Sequence, residues 1–246
     1  MADIPVVVCG ALGKMGRTVT AAVNAAEGMS IVGEADLADD LAAALDGAQV
    51  MVDFTAPDAA FDNAQTALAA GVAPIIGTTG MSTEQVGELA RHAERAEIGG
   101  AVIPNFAIGA VLMMRLAEIA APYFDAVEVV ETHSQTKLDA PSGTAVTTAE
   151  RLAAAREHPF RYARPQTSIL DNARGAEHRS VAVHSLRLPG VVADQEVLFG
   201  TLGQTLSIAH RTTTREAFMP GVIATIRAVS EQRCFFRSLD EVLGLG

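Results

Sequence analysis

Ile4-Pro5-Val6-Val7-Val8-Cys9-Gly10-Ala11-Leu12-Gly13-Lys14-Met15-Gly16 is the stretch whose reading decides the fold. Its apolar, β-branched start reads as a buried strand. The run turns at Gly10, and residues 17–26 have helical composition, so the order is strand, turn, helix. Glycine at such a turn permits a tight bend and lets backbone N–H groups approach a pyrophosphate at the helix N-terminus. The spacing is G-x-x-G-x-x-G, with Ala11 where the commonest fingerprint has a glycine. Roughly 20 residues further on, Asp36 stands where a dinucleotide site keeps its ribose acceptor. Glu34 is the rival for that place. Lys14 is either a phosphate contact or a solvated loop lysine.

Outward from this unit the same rhythm continues. Residues 29–33 read as a strand, 41–45 as a short helix, and 50–54 as a third strand closed by Thr55-Ala56-Pro57. A helix over 59–70, a strand over 73–76 and the turn Gly77-Thr78-Thr79-Gly80 follow, the turn being a candidate for the nicotinamide side. Strands alternating with short helices predict an α/β fold, a parallel doubly wound sheet over roughly the first hundred residues. After Asn105 the rhythm changes. Residues 127–132 are β-like, 141–155 enter a helix, and apolar runs at 181–187, 195–199 and 205–210 lack intervening helices. These predict a second, α+β domain with a mixed or antiparallel sheet. Pro220-Gly221 introduces a last helix over 222–230 that returns to the first domain. The expected divisions are 1–106, 107–215 and 216–246.

With 246 residues, 49% of them hydrophobic, the chain can bury a large core. A net charge of −11 argues against a nucleic-acid surface, which needs a concentrated basic patch, and the sequence shows none. Cys9 and Cys234 are too few for a disulfide framework, and no metal-ligand spacing occurs, so no metal and a reducing compartment, the cytoplasm, are expected. The most apolar stretch, 101–114, is broken by Pro104 and Asn105 and stops at Arg115, short of a membrane span. The N-terminal apolar run lacks a positive leader, and no export is expected.

Only two lysines stand against sixteen arginines, and both fall in candidate loops, at Lys14 and Lys137. Lysine, unlike arginine, can be brought within reach of proton transfer. The segment Glu131-Thr132-His133-Ser134-Gln135-Thr136-Lys137-Leu138-Asp139-Ala140-Pro141-Ser142-Gly143-Thr144-Ala145 places His133 and Lys137 just upstream of a helix start. Ser142 or Thr144 caps that helix, whose free N–H groups suit a carboxylate. His92, His158 and His178 read as surface residues, and His184 and His210 as packing residues. Arg174-Gly175 is expected, from its position alone, to reach the substrate loop.

These loops, with Asp53-Phe54-Thr55, Pro104-Asn105-Phe106-Ala107-Ile108-Gly109 and His184-Ser185-Leu186-Arg187-Leu188-Pro189-Gly190, resemble the bacterial dihydrodipicolinate reductase family, also called 4-hydroxy-tetrahydrodipicolinate reductase. The string Lys-x-Asp-Ala-Pro-Ser-Gly-Thr-Ala at Lys137–Ala145 is its most specific element, and the likeness spans nearly the whole chain. The resemblance implies a Rossmann-like dinucleotide-binding domain over 1–106, a substrate-binding and oligomerisation domain over 107–215, and a homotetramer. It implies NADH or NADPH as cofactor and a cyclic dicarboxylate as substrate, reduced in lysine and diaminopimelate biosynthesis. By position, Gly10, Ala11, Leu12, Gly13, Lys14, Met15 and Asp36 contact the dinucleotide. So do Gly77, Thr78, Thr79, Ile103, Pro104, Asn105 and Phe106. His133 and Lys137 take the catalytic places, and Ser134, Ser142, Gly143 and Thr144 the substrate contacts.

The chain also departs from the family pattern. Ser134 stands for a second histidine, Gln135 and Thr136 for basic or histidine positions, and Asp194 for the histidine of Ala-His-Gln-Glu-Val. A reductase of another cyclic imine or unsaturated carboxylic acid is the alternative these changes leave open. A non-catalytic nucleotide-binding regulator is the other alternative, against which the presence of both His133 and Lys137 weighs.

Overall fold

The computed structural model describes residues 3–163, 166–167, 169–170 and 173–245. The chain separates into two compact units, one of Met1–Ile108 with Arg215–Gly246, the other of Gly109–Thr214.

The first unit runs β1 (Ile4–Cys9), α1 (Lys14–Ala25), β2 (Met29–Ala35), α2 (Leu41–Ala44), β3 (Val50–Asp53), α3 (Pro57–Ala69), β4 (Ala73–Ile76), α4 (Thr83–Ala96) and β5 (Gly100–Val102). The second holds α5 (Ile108–Ala120), whose first residue lies in the first unit, then β6 (Ala126–His133), α6 (Gly143–Ala154), β7 (Ala176–His178), β8 (Val181–Arg187), β9 (Ala193–Thr201) and β10 (Gln204–Thr212). The chain then re-enters the first unit as α7 (Met219–Glu231), β11 (Phe235–Phe236) and α8 (Leu239–Val242).

The inner strands of the first unit are nearly continuous apolar runs because helices cover both faces of their sheet, whereas the edge strand β2 carries Ser30 and Glu34. Every residue of β3 and β4 is buried. The sheet is wholly parallel, in the order β11-β5-β4-β3-β1-β2. On one face Ala60, Ala64 and Ala67 of α3 and Leu89 and Ala93 of α4 close over Val7, Met51 and Ile76. Small side chains on α3 let its backbone approach the sheet. On the other face α7 packs against α1 and the central strands. Because β2 and β3 lie on opposite sides of β1, the strand order reverses there, and the crevice at the strands' carboxyl ends is where such folds bind ligands.

The second unit carries a five-stranded sheet, β10-β9-β6-β8-β7. It is mixed: β6 and β8 run parallel, and the remaining pairs are antiparallel. Its strand β6 alternates in burial, with Val127, Val129 and Glu131 turned to the buried face. That face packs against α6.

Several boundaries differ from the sequence reading. Helix α1 begins at Lys14 rather than residue 17, because Gly13 serves as its N-cap and draws the last residues of the glycine loop into the first turn. Helix α6 begins at Gly143, since Ser142 caps it. Strands β9 and β10 extend two or more residues beyond the apolar runs, carried by their paired ladder rather than by composition. The sequence reading named neither α4, β5, β7, β11 nor α8.

Candidate active site

In the first unit the predicted dinucleotide residues collect at the carboxyl ends of the parallel strands. Gly10 follows β1, Asp36 follows β2, Gly77 follows β4 and Ile103 follows β5, while Phe54, which was not among the predicted contacts, follows β3. Gly10 has φ +77°, and a Cβ there would lie 2.9 Å from the Phe54 carbonyl oxygen. At Gly16 a Cβ would lie 2.0 Å from the Gly10 carbonyl oxygen, so helix and strand close up only with glycine. No side chain caps α1, whose N-terminal N–H groups and dipole end at the loop.

The Leu12 N–H donates to Asp36 Oδ2 at 2.8 Å, and the Gly13 N–H donates to the Gly10 carbonyl at 3.0 Å. Two loop amides are thus spent on folding the loop itself. Asp36 lines a cavity of about 320 Å³ together with Gly10, Gly13, Leu37, Phe54 and Thr55. Its rival Glu34 does not line it, and accepts from Thr20 Oγ1 at 3.2 Å instead. A glycine cradle, an uncapped helix N-terminus and a carboxylate beside a cavity are what a nicotinamide dinucleotide requires, and the residues fit it. The thiol of Cys9, at the cavity wall, is pushed up to about 12 by burial first and by Asp53 and Asp36 next, and so stays protonated.

A second cavity, of about 170 Å³, is lined by Thr78, Thr79, Gly80, Pro104 and Arg237. A Cβ on Gly77 would sit 2.1 Å from the Phe54 ring, and that ring meets Phe106 at 5.8 Å between centroids. Buried Asp53 ties these loops together. Its Oδ1 accepts from Thr55 N at 2.9 Å, Thr55 Oγ1 at 2.7 Å and Thr78 Oγ1 at 3.3 Å, while Oδ2 accepts from Asn63 Nδ2 at 2.7 Å. The Asn105 side chain accepts from the Ala107 N–H at 2.9 Å and shapes the turn after β5. Asp53 and Arg237 carried no assigned role in the sequence reading; Asp53 was visible only as part of a motif, and nothing in the sequence singles out Arg237.

In the second unit His133 ends β6 and Lys137 lies in the loop that follows. The Lys137 N–H donates to the Ser134 carbonyl at 3.1 Å, a turn that keeps the loop short, and Ser134 Oγ and Thr136 Oγ1 lie 2.9 Å apart. Lys137 Nζ donates to both oxygens of Asp139, at 2.9 and 3.0 Å. That bond holds the Asp139 carboxyl below its ordinary range. Ser142 Oγ accepts from the Ala145 N–H at 3.2 Å, which fixes Ser142 rather than Thr144 as the cap of α6. A Cβ on Gly143 would meet open space, so the first turn of α6 is accessible.

Beneath the loop lies Glu131, fully buried. Its carboxylate accepts from Arg187 Nη1 and Nη2 at 3.0 Å and from Ser142 N at 3.3 Å, and its Oε2 is 2.5 Å from His133 Nδ1. Burial alone would raise this carboxyl; hydrogen bonds from Arg187, Ser185 and His133 outweigh it and hold it below the ordinary range. Arg174, expected to reach the substrate loop, instead pairs with Glu128, and its guanidinium lies 5.9 Å from the Tyr162 ring. His184 joins the same cluster, at 2.8 Å from Glu128 Oε2.

The comparisons settle which family has this pair of units. Residues 4–106 match the model for the N-terminus of dihydrodipicolinate reductase, and 109–243 match the model for its C-terminus. The chain belongs to the dihydrodipicolinate reductase family. It is 43% identical to the 4-hydroxy-tetrahydrodipicolinate reductase of Moorella thermoacetica, covering 99% of both chains. The enzyme of the same name from Legionella pneumophila strain Paris is 44% identical, over 97% of this chain and 98% of its own. Among solved structures, a dipicolinate-bound dihydrodipicolinate reductase from Paenisporosarcina sp. TG-14 superposes with a TM-score of 0.88 at 36% identity, covering 97% of this chain and 99% of that one. Family membership makes the chain a nicotinamide-dependent oxidoreductase with a small-molecule substrate. No helix among the described residues is long and apolar enough to cross a membrane.

Proposed function

We propose that this reductase converts 4-hydroxy-tetrahydrodipicolinate to tetrahydrodipicolinate with NADH or NADPH, a step of lysine and diaminopimelate biosynthesis. The observation that carries this reading is the match of both units, nearly end to end, to one reductase family.

The first unit binds the dinucleotide: the Gly10–Met15 loop takes the pyrophosphate, Asp36 the adenosine ribose, and Gly77–Thr79 with Ile103–Phe106 the nicotinamide half. When bound, the reduced nicotinamide supplies a hydride for C4 of the substrate ring. The rest of the chemistry is proton transfer. Loss of the 4-hydroxyl as water gives that oxygen one proton while a neighbouring ring carbon releases one, and the enamine left after hydride addition takes up a proton at carbon, so one proton is consumed overall. His133 and Lys137 are the donors for these steps. A cationic Lys137 also stabilises negative charge near the substrate carboxylates. Gly143 and Thr144 at the N-terminus of α6, capped by Ser142, bind a carboxylate through backbone N–H groups, and Ser134 contacts the substrate.

We further assign the protein to the cytoplasm and to a homotetramer. Leu186 and Leu198 are exposed on the sheet face opposite α6, in support of assembly through that face.

The test is a coupled assay that generates the labile substrate in place and follows loss of reduced nicotinamide absorbance with NADH and with NADPH. Substrate-dependent oxidation is the expected result. No oxidation with either cofactor, together with faster turnover of another cyclic imine or unsaturated acid, would overturn the assignment of substrate.

A further inference from the structure

We propose that Glu131 is a positioning residue for the reaction, its buried carboxylate fixing His133 with the proton on Nδ1 so that protons enter and leave the ring only at Nε2. The inference rests on the reading of His133 as a proton donor. Three observations and one chemical rule converge on it. Glu131 is a fully buried carboxylate at the end of a strand, a place that must satisfy every lone pair it hides. Its Oε1 accepts from Ser142 N and from both Arg187 nitrogens, so this oxygen is committed to donors. Its Oε2 takes Arg187 Nη1 at 3.0 Å and stands 2.5 Å from His133 Nδ1. A carboxylate only accepts, so Nδ1 must be the donor.

The same network grips both ends of the catalytic loop. Arg187 Nη2 also donates to the Asp139 carbonyl at 2.7 Å, and the Leu188 N–H donates to the His133 carbonyl at 3.0 Å. Glu131 therefore connects, through direct hydrogen bonds, the ring that gives the proton and the helix start that receives the carboxylate. A purely structural ion pair between β6 and β8 needs Arg187 and not the imidazole.

Glu131→Gln separates the two roles. The amide has one acceptor and one donor end, and Arg187 with Ser142 claims the oxygen. The NH₂ group is then left against His133, which must accept at Nδ1 and carry its proton on Nε2. Nitrogen-15 spectra of histidine-labelled protein, recorded where the ring is neutral, read this directly. Nδ1–H is expected in the wild type and Nε2–H in Glu131→Gln. Exchanging carboxylate for amide behind a catalytic histidine costs about 10⁴-fold in hydrolytic triads. Here, with Lys137 as a second donor, kcat is expected to fall about 10-fold or more while KM for NADH stays unchanged. Should the single variant not fold, Glu131→Leu/Arg187→Leu leaves no unpaired buried charge. Its His133 is expected to revert to Nε2–H, the form free histidine prefers.

Nδ1–H persisting in the variants, Nε2–H in the wild type, or an unchanged kcat in Glu131→Gln would overturn the proposal. The spectra do not depend on the substrate. A wild-type protein inert toward 4-hydroxy-tetrahydrodipicolinate would contradict the functional reading and leave the tautomer to decide this one.

Discussion

Lys137 and His133, the proposed proton donors, are held in different ways. Lys137 is tethered to Asp139, an exposed partner that a substrate carboxylate can displace, whereas His133 is anchored to buried Glu131. Replacing Lys137 by arginine keeps the cation and removes the transferable proton, because guanidinium is not deprotonated in proteins. For Lys137→Arg, kcat is expected to fall at least about 100-fold, the low end of what a general acid contributes. NADH affinity, measured by fluorescence titration, is expected to be unchanged; near wild-type turnover would remove Lys137 from the acid role. The lysine was legible in the sequence because its residue type is rare in this chain. Glu131 was not. A carboxylate in a strand reads as a solvent-facing residue, and only the register that pairs Glu131 with Ser185 and His133 with Arg187 brings the Arg187 guanidinium, 56 positions away, onto a buried acceptor. Asp36 was legible with Glu34 as rival, since spacing leaves a two-residue ambiguity; of the two, Asp36 lines the cavity and Glu34 does not.

At the scale of elements, the glycine loop and the start of α6 share one feature, a helix N-terminus of the kind that suits an anion. Both were readable because turn chemistry is local: Gly13 precedes α1 and Ser142 precedes α6. The strands that escaped notice are short, β7 having three residues and β11 two, and they exist because a neighbouring strand pairs with them. The second sheet carries its own pH dependence. His210 of β10 is pushed below the ordinary histidine range by desolvation, with Asp194 opposing. The folded state thus binds that proton more weakly than the unfolded chain, so its contribution is whole above pH ~6.5 and lost as pH falls. For Glu128 and Glu131 burial raises the carboxyl, but hydrogen bonds from Arg174 and His184, and from Arg187, Ser185 and His133, prevail and lower it. Their contribution is whole above pH ~4.3 and is lost as pH falls through the lowered values. Tm followed by circular dichroism is expected to decline gently from about pH 6.5 and steeply below about pH 4.3. His210→Gln is expected to flatten the first phase alone; a Tm that rises on acidification would contradict the assignment.

For the molecule as a whole, the sequence reading placed the dinucleotide fold in the first hundred residues because a strand and helix rhythm is periodic and local. It left the second sheet as mixed or antiparallel, since strand pairing across some 50 residues leaves no mark on composition. The proposed homotetramer leads to the expectation of a species of four chains by light scattering, with exposed Leu186 and Leu198 on that sheet as the candidate contact. Substituting both by glutamate is expected to yield smaller species, and a wild-type monomer would contradict assembly. The central claim is that the chain transfers a hydride to the substrate ring and supplies the accompanying protons itself. The most direct measurement uses NADH deuterated at the transferred position, the substrate generated in place, and mass spectrometry of the product. The account predicts one deuterium carried into tetrahydrodipicolinate, with Lys137→Arg slowing its appearance. Product free of the label, or nicotinamide oxidised without any tetrahydrodipicolinate, would contradict it.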